Sequence, residues 1–432
     1  MEGERRMIPL GELYDFSSGL SKPRTAFGSG YPFLTFKDVF YNIFVPDELG
    51  DLVNSTERER HSCSIKRGDV FLTRTSETMD ELGMSCVSLR NVDSATFNGF
   101  TKRLRPKPGV NIVPEYAGYF FRSGWFRRQV TAMSSLSTRA SLNNEMLGRL
   151  QMLLPGMTPQ RAIGCVLKSF DDKIELNRRM NQTLEAIARA IFKSWFVDFD
   201  PVRAKADGRE PDLPEPIADL FPDRFEDSEL GEIPKGWDVA GLNEVASFLN
   251  GLALQKYPPE DGRSLPVIKI SQLRKGSTEG ADRASADLDP AYIVEDGTVL
   301  FSWSGSLECV LWTGGQGALN QHLFKVESER FPKWYFYLWI HHHLPWFRHI
   351  AAGKATTMGH IQRRHLAEAL VVVPPEPLLQ GADRVLAPLI EALVSRDLEC
   401  RKLAGVRDAL LPKLVSGELP IPDAERIVGR CA

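Results

Sequence analysis

The chain has 432 residues, of which 43% are hydrophobic and 25% are charged, and its formal net charge is −3. A chain this long normally divides into domains of roughly 100–200 residues, and no stretch approaches the roughly 20 apolar residues that a membrane span needs. The six cysteines lie far apart without a C-x-x-C pair, which favours reduced thiols in a cytoplasm over a disulfide framework or a zinc site. The small negative charge neither indicates nor excludes nucleic-acid binding, because binding depends on where the charges lie.

The N-terminal part of the sequence recurs further along the chain, with an offset of about 220–230 residues, so the repeating unit is a whole domain. The matched segments are residues 10–20 with 242–252, 31–36 with 265–270, and 68–73 with 297–302. From residue 147 the offset stays at 219. Such constancy is typical of a helix, because one inserted residue would rotate everything after it by about 100°.

Each copy ends in a predicted long helix of about 35–40 residues, with apolar residues at most a and d positions of nearly four heptads. The first row is Leu167, Phe170, Ile174, Asn177, Asn181, Leu184, Ala188, Ile191 and Trp195; the second is Leu386, Leu389, Leu393, Arg396, Cys400, Leu403, Arg407, Leu410 and Leu414. Polar residues in the middle of such a row cost stability but can fix register. We expect the two helices to pair as an antiparallel coiled coil; the alternative is that each packs on its own domain.

These patterns predict an α+β chain with two tandem mixed α/β domains separated by two long helices. The expected parts are domains at residues 1–155 and 237–374, long helices at 156–200 and 375–418, and a proline-rich joint at 201–236. Pro201 is expected to stop the first helix, and Gly417 and Pro420 the second. The joint holds Pro201, Pro211, Pro214, Pro216, Pro222 and Pro234, which predict irregular backbone there.

Motifs for catalysis are missing from the sequence. It has no phosphate-binding G-x-x-x-x-G-K-[ST] loop, no dinucleotide fingerprint in a strand–turn–helix setting and no G-x-S-x-G elbow. The run His341-His342-His343 suggests a metal at first sight, but three adjacent helical residues point in different directions. We therefore expect a structural or surface role for these histidines, and no metal or cofactor in this chain.

Loops rich in Ser, Thr, Lys and Arg follow the predicted strands, and such side chains hold phosphates and read base edges. Residues 1–150 carry a small excess of basic side chains, including the run Lys102, Arg103 and Arg105. The candidate DNA-binding residues are Thr35, Lys37, Thr73, Arg74, Ser76 and Arg139 in the first copy, and Lys269, Ser271, Gln272, Ser302, Trp303, Ser304, Lys354 and Thr357 in the second. For any single residue, a polar loop tip of a soluble protein is the competing interpretation.

Four strings carry a family resemblance: IELNRRMNQTL at 174–184, FKSWFVDFDPVR at 192–203, ELGEIPKGW at 229–237 and LLPKLVSGEL at 410–419. With these strings the chain resembles the specificity subunit of bacterial type I restriction-modification enzymes over nearly its whole length. The family carries two target-recognition domains separated by two helical regions that pair antiparallel. The resemblance implies that each domain reads one half of a split, asymmetric DNA site.

The resemblance also implies a non-catalytic, cytoplasmic subunit that works in a complex. Its expected partners are double-stranded DNA, two modification (methyltransferase) subunits docked on the helices, and restriction (translocase and nuclease) subunits. S-adenosylmethionine, ATP and Mg would be used by those partner subunits. The helices would set the spacing between the half-sites, so lengthening both should lengthen the gap between them.

Two other functions remain open at this point. The chain could be the specificity half of a fused restriction or methylation enzyme, although the sequence contains no methyltransferase or nuclease motif. It could also be a protein–protein scaffold whose paired helices bridge other proteins without binding DNA.

Overall fold

The structure is a computed structural model that describes residues 6–75, 81–134, 141–259, 262–353 and 359–431. The chain divides into two compact units. The first unit comprises Met1–Ile174 with Lys402–Ala432, and the second comprises Glu175–Arg401. Four of the candidate residues, Ser76, Arg139, Lys354 and Thr357, lie outside the described residues.

The first copy of the repeat contains nine described strands and seven described helices. The strands are β1 (Arg6–Pro9), β2 (Tyr14–Ser18), β3 (Phe27–Leu34), β4 (Leu52–Val53), β5 (Val70–Thr73), β6 (Ser85–Val87), β7 (Thr96–Phe97), β8 (Thr101–Pro106) and β9 (Gln151–Leu154). The helices are α1 (Leu10–Leu13), α2 (Phe36–Tyr41), α3 (Glu57–Ser62), α4 (Pro114–Arg122), α5 (Gly124–Ser134), α6 (Asn144–Arg149) and the long α7 (Met157–Phe196).

The rest of the chain begins with a joint and continues with the second copy. Its strands are β10 (Phe225–Ser228), β11 (Gly231–Pro234), β12 (Asp238–Gly241), β13 (Ser247–Asn250), β14 (Ser264–Ile268), β15 (Arg283–Ser285), β16 (Ile293–Val294), β17 (Val299–Ser302), β18 (Cys309–Leu311), β19 (Gly317–Leu319), β20 (Leu323–Glu327) and β21 (Leu370–Val373). Its helices are α8 (Asp200–Ala206), α9 (Glu215–Ala218), α10 (Leu242–Val245), α11 (Ile270–Lys275), α12 (Lys333–Ala352), α13 (Arg363–Glu368), α14 (Glu376–Ser416) and α15 (Ile421–Cys431).

Sheet topology confirms the duplication. The first unit has a four-stranded antiparallel sheet in the order β2-β8-β5-β6, and the second unit has the same arrangement as β13-β20-β17-β18. Beside it, β3 pairs in parallel with β7, as β14 does with β19. The antiparallel pair β1-β9 is likewise repeated as β12-β21.

A repeated glycine follows β2 and β13 because the backbone approaches another strand end too closely for a side chain. A Cβ atom on Gly19 would lie 2.3 Å from the carbonyl oxygen of Phe97, and one on Gly251 would lie 2.3 Å from that of Asn320. The next residues, Leu20 and Leu252, form equivalent parallel bridges to Asn98 and Asn320. The Gly-Leu pair recognised in the sequence repeat therefore marks a close crossing of the chain.

The two long helices run antiparallel where they meet within each unit. In the second unit, Asn177 of α7 donates to Glu399 of α14, and Asn181, four residues later, donates to Asp397 and to the carbonyl of Leu393, both earlier in α14. In the first unit, an ion pair joins Asp171 to Arg407, and the hydroxyl of Tyr119 on α4 donates to the same carboxylate. The polar middle of the heptad rows thus makes directed contacts between the helices, as polar residues that fix a register do.

The alternative in which each helix packs only on the domain before it is wrong for α7. The second half of this helix contributes Phe192, Trp195 and Phe196 to the core of the second unit, where their exposed fractions are 5% or less. The ring centroids of Phe192 and Trp339 are 5.0 Å apart, in an edge-to-face contact. The first helix therefore contributes to the cores of both domains.

The prediction of an irregular joint is also wrong. α7 ends at Phe196, before Pro201, which lies in the first turn of α8, where a missing backbone N–H costs nothing. Pro216 occupies the corresponding place in α9. Strands β10 and β11 then pair as an antiparallel hairpin. Pro201 and Pro216 thus lie in the first turns of helices instead of breaking them.

Candidate nucleic-acid interface

Thr73 ends β5 with its side chain buried. Its exposed fraction is 0%, and its hydroxyl donates to the carbonyl of Glu81 and accepts from the backbone N–H of Met84, both at 2.9 Å. A hydroxyl satisfied in this way holds the loop after the strand. It has no exposed surface to offer a ligand in this conformation.

Arg74, the next residue, lies where three segments of the first unit meet. Its N–H donates to the carbonyl of Phe100 at 3.0 Å, and its carbonyl accepts from the N–H of Leu142 at 2.9 Å. The side chain of Phe100 is 61% exposed, a large value for an aromatic residue. We call Arg74, Phe100 and Leu142 the first strand-end cluster.

The second unit repeats this backbone arrangement with different side chains. The N–H of Trp303 donates to the carbonyl of His322 at 3.3 Å, and its carbonyl accepts from the N–H of Ile361 at 3.0 Å. We call Trp303, His322 and Ile361 the second strand-end cluster. The neighbouring bridges also correspond, since Thr75 pairs with Ser141 and Ser304 with His360.

The side chains of the second cluster hold each other in place. The indole Nε1–H of Trp303 donates to Oδ1 of Asn250 at 2.8 Å and to the carbonyl of Gln321 at 3.1 Å. The hydroxyl of Ser304 lies 3.0 Å from Nδ1 of His322. Because the indole N–H is already satisfied, only the apolar surface of Trp303 remains for a ligand.

Two of the predicted serines are buried, as Thr73 is. Ser302 has an exposed fraction of 0%, donates to the carbonyl of Ser306 at 2.6 Å and accepts from the N–H of Glu308 at 2.8 Å. Ser304 is 4% exposed. The sequence pattern of a strand followed by polar residues does not distinguish such loop-holding hydroxyls from exposed ones.

Thr35 and Lys269 occupy equivalent positions, each preceding a six-residue helix at the end of a parallel strand. The hydroxyl of Thr35 donates to Oδ2 of Asp38 at 2.7 Å and accepts from the Asp38 N–H at 3.2 Å, which forms a capping box. Lys269 forms an ion pair with Asp282. Both residues are partly exposed, close to the turn that contains Asn98 or Asn320.

The other candidates on these helices differ in exposure. Lys37 and Ser271 are exposed, whereas Gln272 is 6% exposed and its Oε1 accepts from the Ser271 hydroxyl at 2.8 Å. The structure therefore groups Thr73 and Arg74 in one unit and Ser302, Trp303 and Ser304 in the other. Lys37 and Ser271 lie on the adjoining helices.

The basic side chains of β8 form hydrogen bonds and an ion pair within the protein. Arg105 pairs with the buried carboxylate of Asp69 through two hydrogen bonds of 2.7 and 2.6 Å, and Arg103 donates to the carbonyl of Ser64 at 2.7 Å. The ammonium of Lys102 donates to Oγ of Ser18 at 3.0 Å and to Oδ1 of Asn144 at 2.8 Å. Burial lowers the pKa of Lys102, and the nearby charge of Arg74 lowers it further.

Phe100 and His322 were missed by the sequence analysis. The preceding turn has the same geometry in both copies of the repeat. Oδ1 of Asn98 accepts from the N–H of Phe100, and Oδ1 of Asn320 accepts from that of His322. An Asn three residues before the start of β8 or β20, in both copies, is the signal that could have located them.

A separate exposed surface lies on α7. Leu176, Met180 and Ile187 are 52%, 37% and 43% exposed, and their spacing of four and seven residues places them on one face of the helix. We call them the exposed helix stripe. Apolar side chains grouped in this way mark interaction surfaces more often than scattered ones do.

In the histidine run on α12, His341 and His343 are half-buried and His342 is exposed. Burial lowers the pKa of His341 to about 3 and that of His343 to about 4, and Nε2 of His343 donates to the carbonyl of Leu370 at 3.0 Å. Within the described ranges, no group of three His, Cys, Asp or Glu side chains could hold a metal ion. A search of the same residues finds no helix that is both long and apolar enough to cross a membrane.

Comparison with known proteins gives consistent results. A family model described as the type I restriction modification DNA specificity domain matches residues 5–186 and 234–381. The chain is 25% identical over 430 residues to the type I restriction enzyme MjaIX specificity subunit of Methanocaldococcus jannaschii, covering 97% of this chain and 94% of that protein. It is 24% identical over 465 residues to the HindI specificity subunit of Haemophilus influenzae, covering 94% and 98%.

A solved structure shares the fold. The S subunit of a type I restriction-modification system from M. genitalium superposes with a TM-score of 0.52 at 13% sequence identity, covering 95% of this chain and 96% of that one. At this level of identity the likeness concerns the fold alone.

Proposed function

Because this chain belongs to the family of type I restriction-modification DNA specificity subunits, we propose that each of its two units reads one half of a bipartite, asymmetric site in double-stranded DNA. Specificity subunits are the DNA-binding, non-catalytic components of these complexes. The recognition domains in this proposal span residues 1–155 and 237–374.

One observation carries the proposal. The two strand-end clusters have the same backbone hydrogen bonds but present an arginine and a phenyl ring in one unit, and an indole and an imidazole in the other. A common scaffold with different exposed chemistry is what two readers of different half-sites require, because base edges are distinguished by the donors, acceptors and methyl groups that they present.

Within this proposal the candidate residues take two roles. Arg74, Lys37, Ser271 and Lys269 are partly or fully exposed and can reach phosphates or bases. Trp303 offers an apolar face. Thr35 contributes by capping the helix that follows it, which fixes the position of its loop. The buried side chains of Thr73, Ser302, Ser304 and Gln272 act indirectly, by holding the loops. Ser76, Arg139, Lys354 and Thr357 are retained as further contacts.

The long helices supply the spacing and the docking surface in this proposal. α7 has 40 residues and α14 has 41, so each is about 60 Å long at 1.5 Å per residue. The exposed helix stripe is the docking surface for a modification subunit, of which the family pattern requires two. Restriction subunits complete the assembly, and S-adenosylmethionine, ATP and Mg are used in those partners.

The test compares the chain with and without its modification subunit. Purified samples would methylate a library of random DNA, and sequencing would identify the modified positions. We expect methylation at one bipartite sequence, with a fixed unspecific gap, only when both subunits are present. Methylation without sequence preference would overturn the proposal, and failure of the complex to bind DNA would favour a protein–protein scaffold.

A second version of this experiment tests the spacer role. One heptad inserted at matched positions of both helices keeps their apolar rows aligned and adds about 10 Å of helix. We expect the gap to lengthen by about three base pairs, at 3.4 Å each. An unchanged gap, with the same half-sites still recognised, would show that the helices do not set the spacing.

A further inference from the structure

We propose that Arg74 and Phe100 in the first unit, and Trp303 and His322 in the second, are equivalent specificity-determining positions. The first pair recognises a G·C base pair, and the second recognises an A·T pair through the thymine methyl group. This inference rests on the proposed function and adds the positions and base classes to it.

The equivalence follows from hydrogen bonds of the backbone that the two units share. In each unit the first residue of the pair immediately follows the central strand β5 or β17, and its N–H donates to the carbonyl of the second residue. The second residue in turn lies two residues after an asparagine whose Oδ1 accepts its N–H, at 2.7 Å for Phe100 and 3.3 Å for His322. Each pair is therefore presented at the same place on its sheet.

The first pair combines a guanidinium with an exposed ring. Among the described residues, no carboxylate forms an ion pair with Arg74, and the charge of Arg74 lies close enough to another cation, Lys102, to lower its pKa. A guanidinium that is not held by a carboxylate can donate hydrogen bonds to anions or to groups rich in acceptors. In the major groove, the bidentate partner of arginine is guanine, through O6 and N7. The exposed ring of Phe100 adds apolar contact beside it.

The second pair presents almost the opposite chemistry. The indole N–H of Trp303 is occupied by Asn250 and Gln321, and Nδ1 of His322 faces the hydroxyl of Ser304. The rings of Trp303 and His322 lie 5.7 Å apart between centroids, so they form a joined surface. The indole N–H is engaged, and the two ring nitrogens of His322 face the hydroxyl of Ser304 and the side-chain amide of Gln321. This surface therefore favours an apolar feature of the base pair, and the thymine methyl group is the one available in the major groove.

The neighbouring hydroxyls provide an internal comparison. Thr73 and Ser302 precede Arg74 and Trp303 directly, yet both are 0% exposed and bonded within their loops. The specificity-determining role therefore belongs to the first residue after each strand, where the side chain is no longer enclosed.

The experiment selects bound DNA from a randomised library with the assembled complex of this chain and its modification subunit. Arg74→Gln should change one position of one half-site from guanine towards adenine, because glutamine pairs with adenine N6 and N7. The change in preference should be at least about tenfold, the factor that corresponds to 1.4 kcal/mol of discrimination. Trp303→Ala should relax one position of the other half-site only.

Controls separate folding from recognition. Arg67→Ala removes an arginine beyond the opposite end of β5, where it bonds Glu115 and the carbonyl of Leu89, and should leave both half-sites unchanged. His322→Ala replaces Trp303→Ala if the latter lowers the melting temperature. A wild-type complex without sequence preference would refute the proposed function. A wild-type bipartite preference that persists unchanged in Arg74→Gln and His322→Ala would refute this inference alone.

Discussion

Asn177 on α7 donates a hydrogen bond of 2.7 Å from Nδ2 to Oε2 of Glu399 on α14. The amide is 3% exposed, so this bond is made in the interior of the helix pair. An apolar row interrupted by such a bond gives up some hydrophobic stabilisation but accepts only one alignment of the helices.

We expect Asn177→Ala to lower the free energy of unfolding by about 1–3 kcal/mol, because it removes the hydrogen bond that the buried amide donates to Glu399 between the helices. Urea unfolding followed by tryptophan fluorescence measures the change, since Trp195, Trp334 and Trp339 lie in the core of the second unit. Arg179→Ala, which removes an exposed pair with Glu175 on the same helix, is the matched control and should have little effect. Equal losses for both variants would contradict the assignment.

A second prediction concerns pH. The pKa of His343 falls from 6.5 to about 4 because its ring is buried, so the unfolded chain binds a proton that the folded chain excludes. Stability from this group is complete above pH 6.5 and is lost as the pH falls from there towards 4. His343→Gln should therefore flatten the pH dependence of the unfolding free energy across that window. The exposed His349→Gln should leave the slope as it is, and an unchanged slope for His343→Gln would exclude the burial effect.

The third prediction concerns the close crossing after β2. Gly19→Ala places a methyl group 2.3 Å from the carbonyl oxygen of Phe97, so the strand ends must separate. We expect a loss of about 1–3 kcal/mol or more in the free energy of unfolding. Gly50→Ala, where no atom lies within 4 Å, is the control and should be close to neutral. Gly251→Ala should repeat the loss in the second unit, and its tolerance would mean that the two crossings are not equivalent.

The fourth prediction concerns the exposed helix stripe. Replacing Leu176, Met180 and Ile187 together by serine should weaken binding of the modification subunit by at least about tenfold, because each buried apolar side chain contributes about 1.5–3 kcal/mol. Isothermal titration of the two purified subunits measures this. The melting temperature should hardly change, since the side chains are exposed. Serine at Arg178 and Gln182, on another face of the same helix, is the control; equal weakening there would move the docking surface away from the stripe.

The sequence was sufficient to predict the duplication and the antiparallel helices, because both depend on regular spacing that can be compared along the chain. It was insufficient where the decisive partner is remote. Arg105 looks like a free basic residue until β5 brings Asp69 beside it. The same holds for Phe192 and Phe196, whose packing partners lie about 140 residues later in α12. The residue types at the end of β5 and β17 also give no indication that the side chains are buried. In the sequence, Thr73 and Ser302 therefore resemble exposed loop residues.

The division of the chain has a consequence for its synthesis. The first unit includes Lys402–Ala432, and Leu403, Leu410 and Leu414 of that segment are buried. These residues follow the second unit in the chain, so the first unit can be completed only after the second unit has been translated. Until then, the part of α7 that these residues cover has one side exposed. A truncation that removes Lys402–Ala432 would therefore damage the N-terminal domain, although its globular part lies far upstream of the truncation.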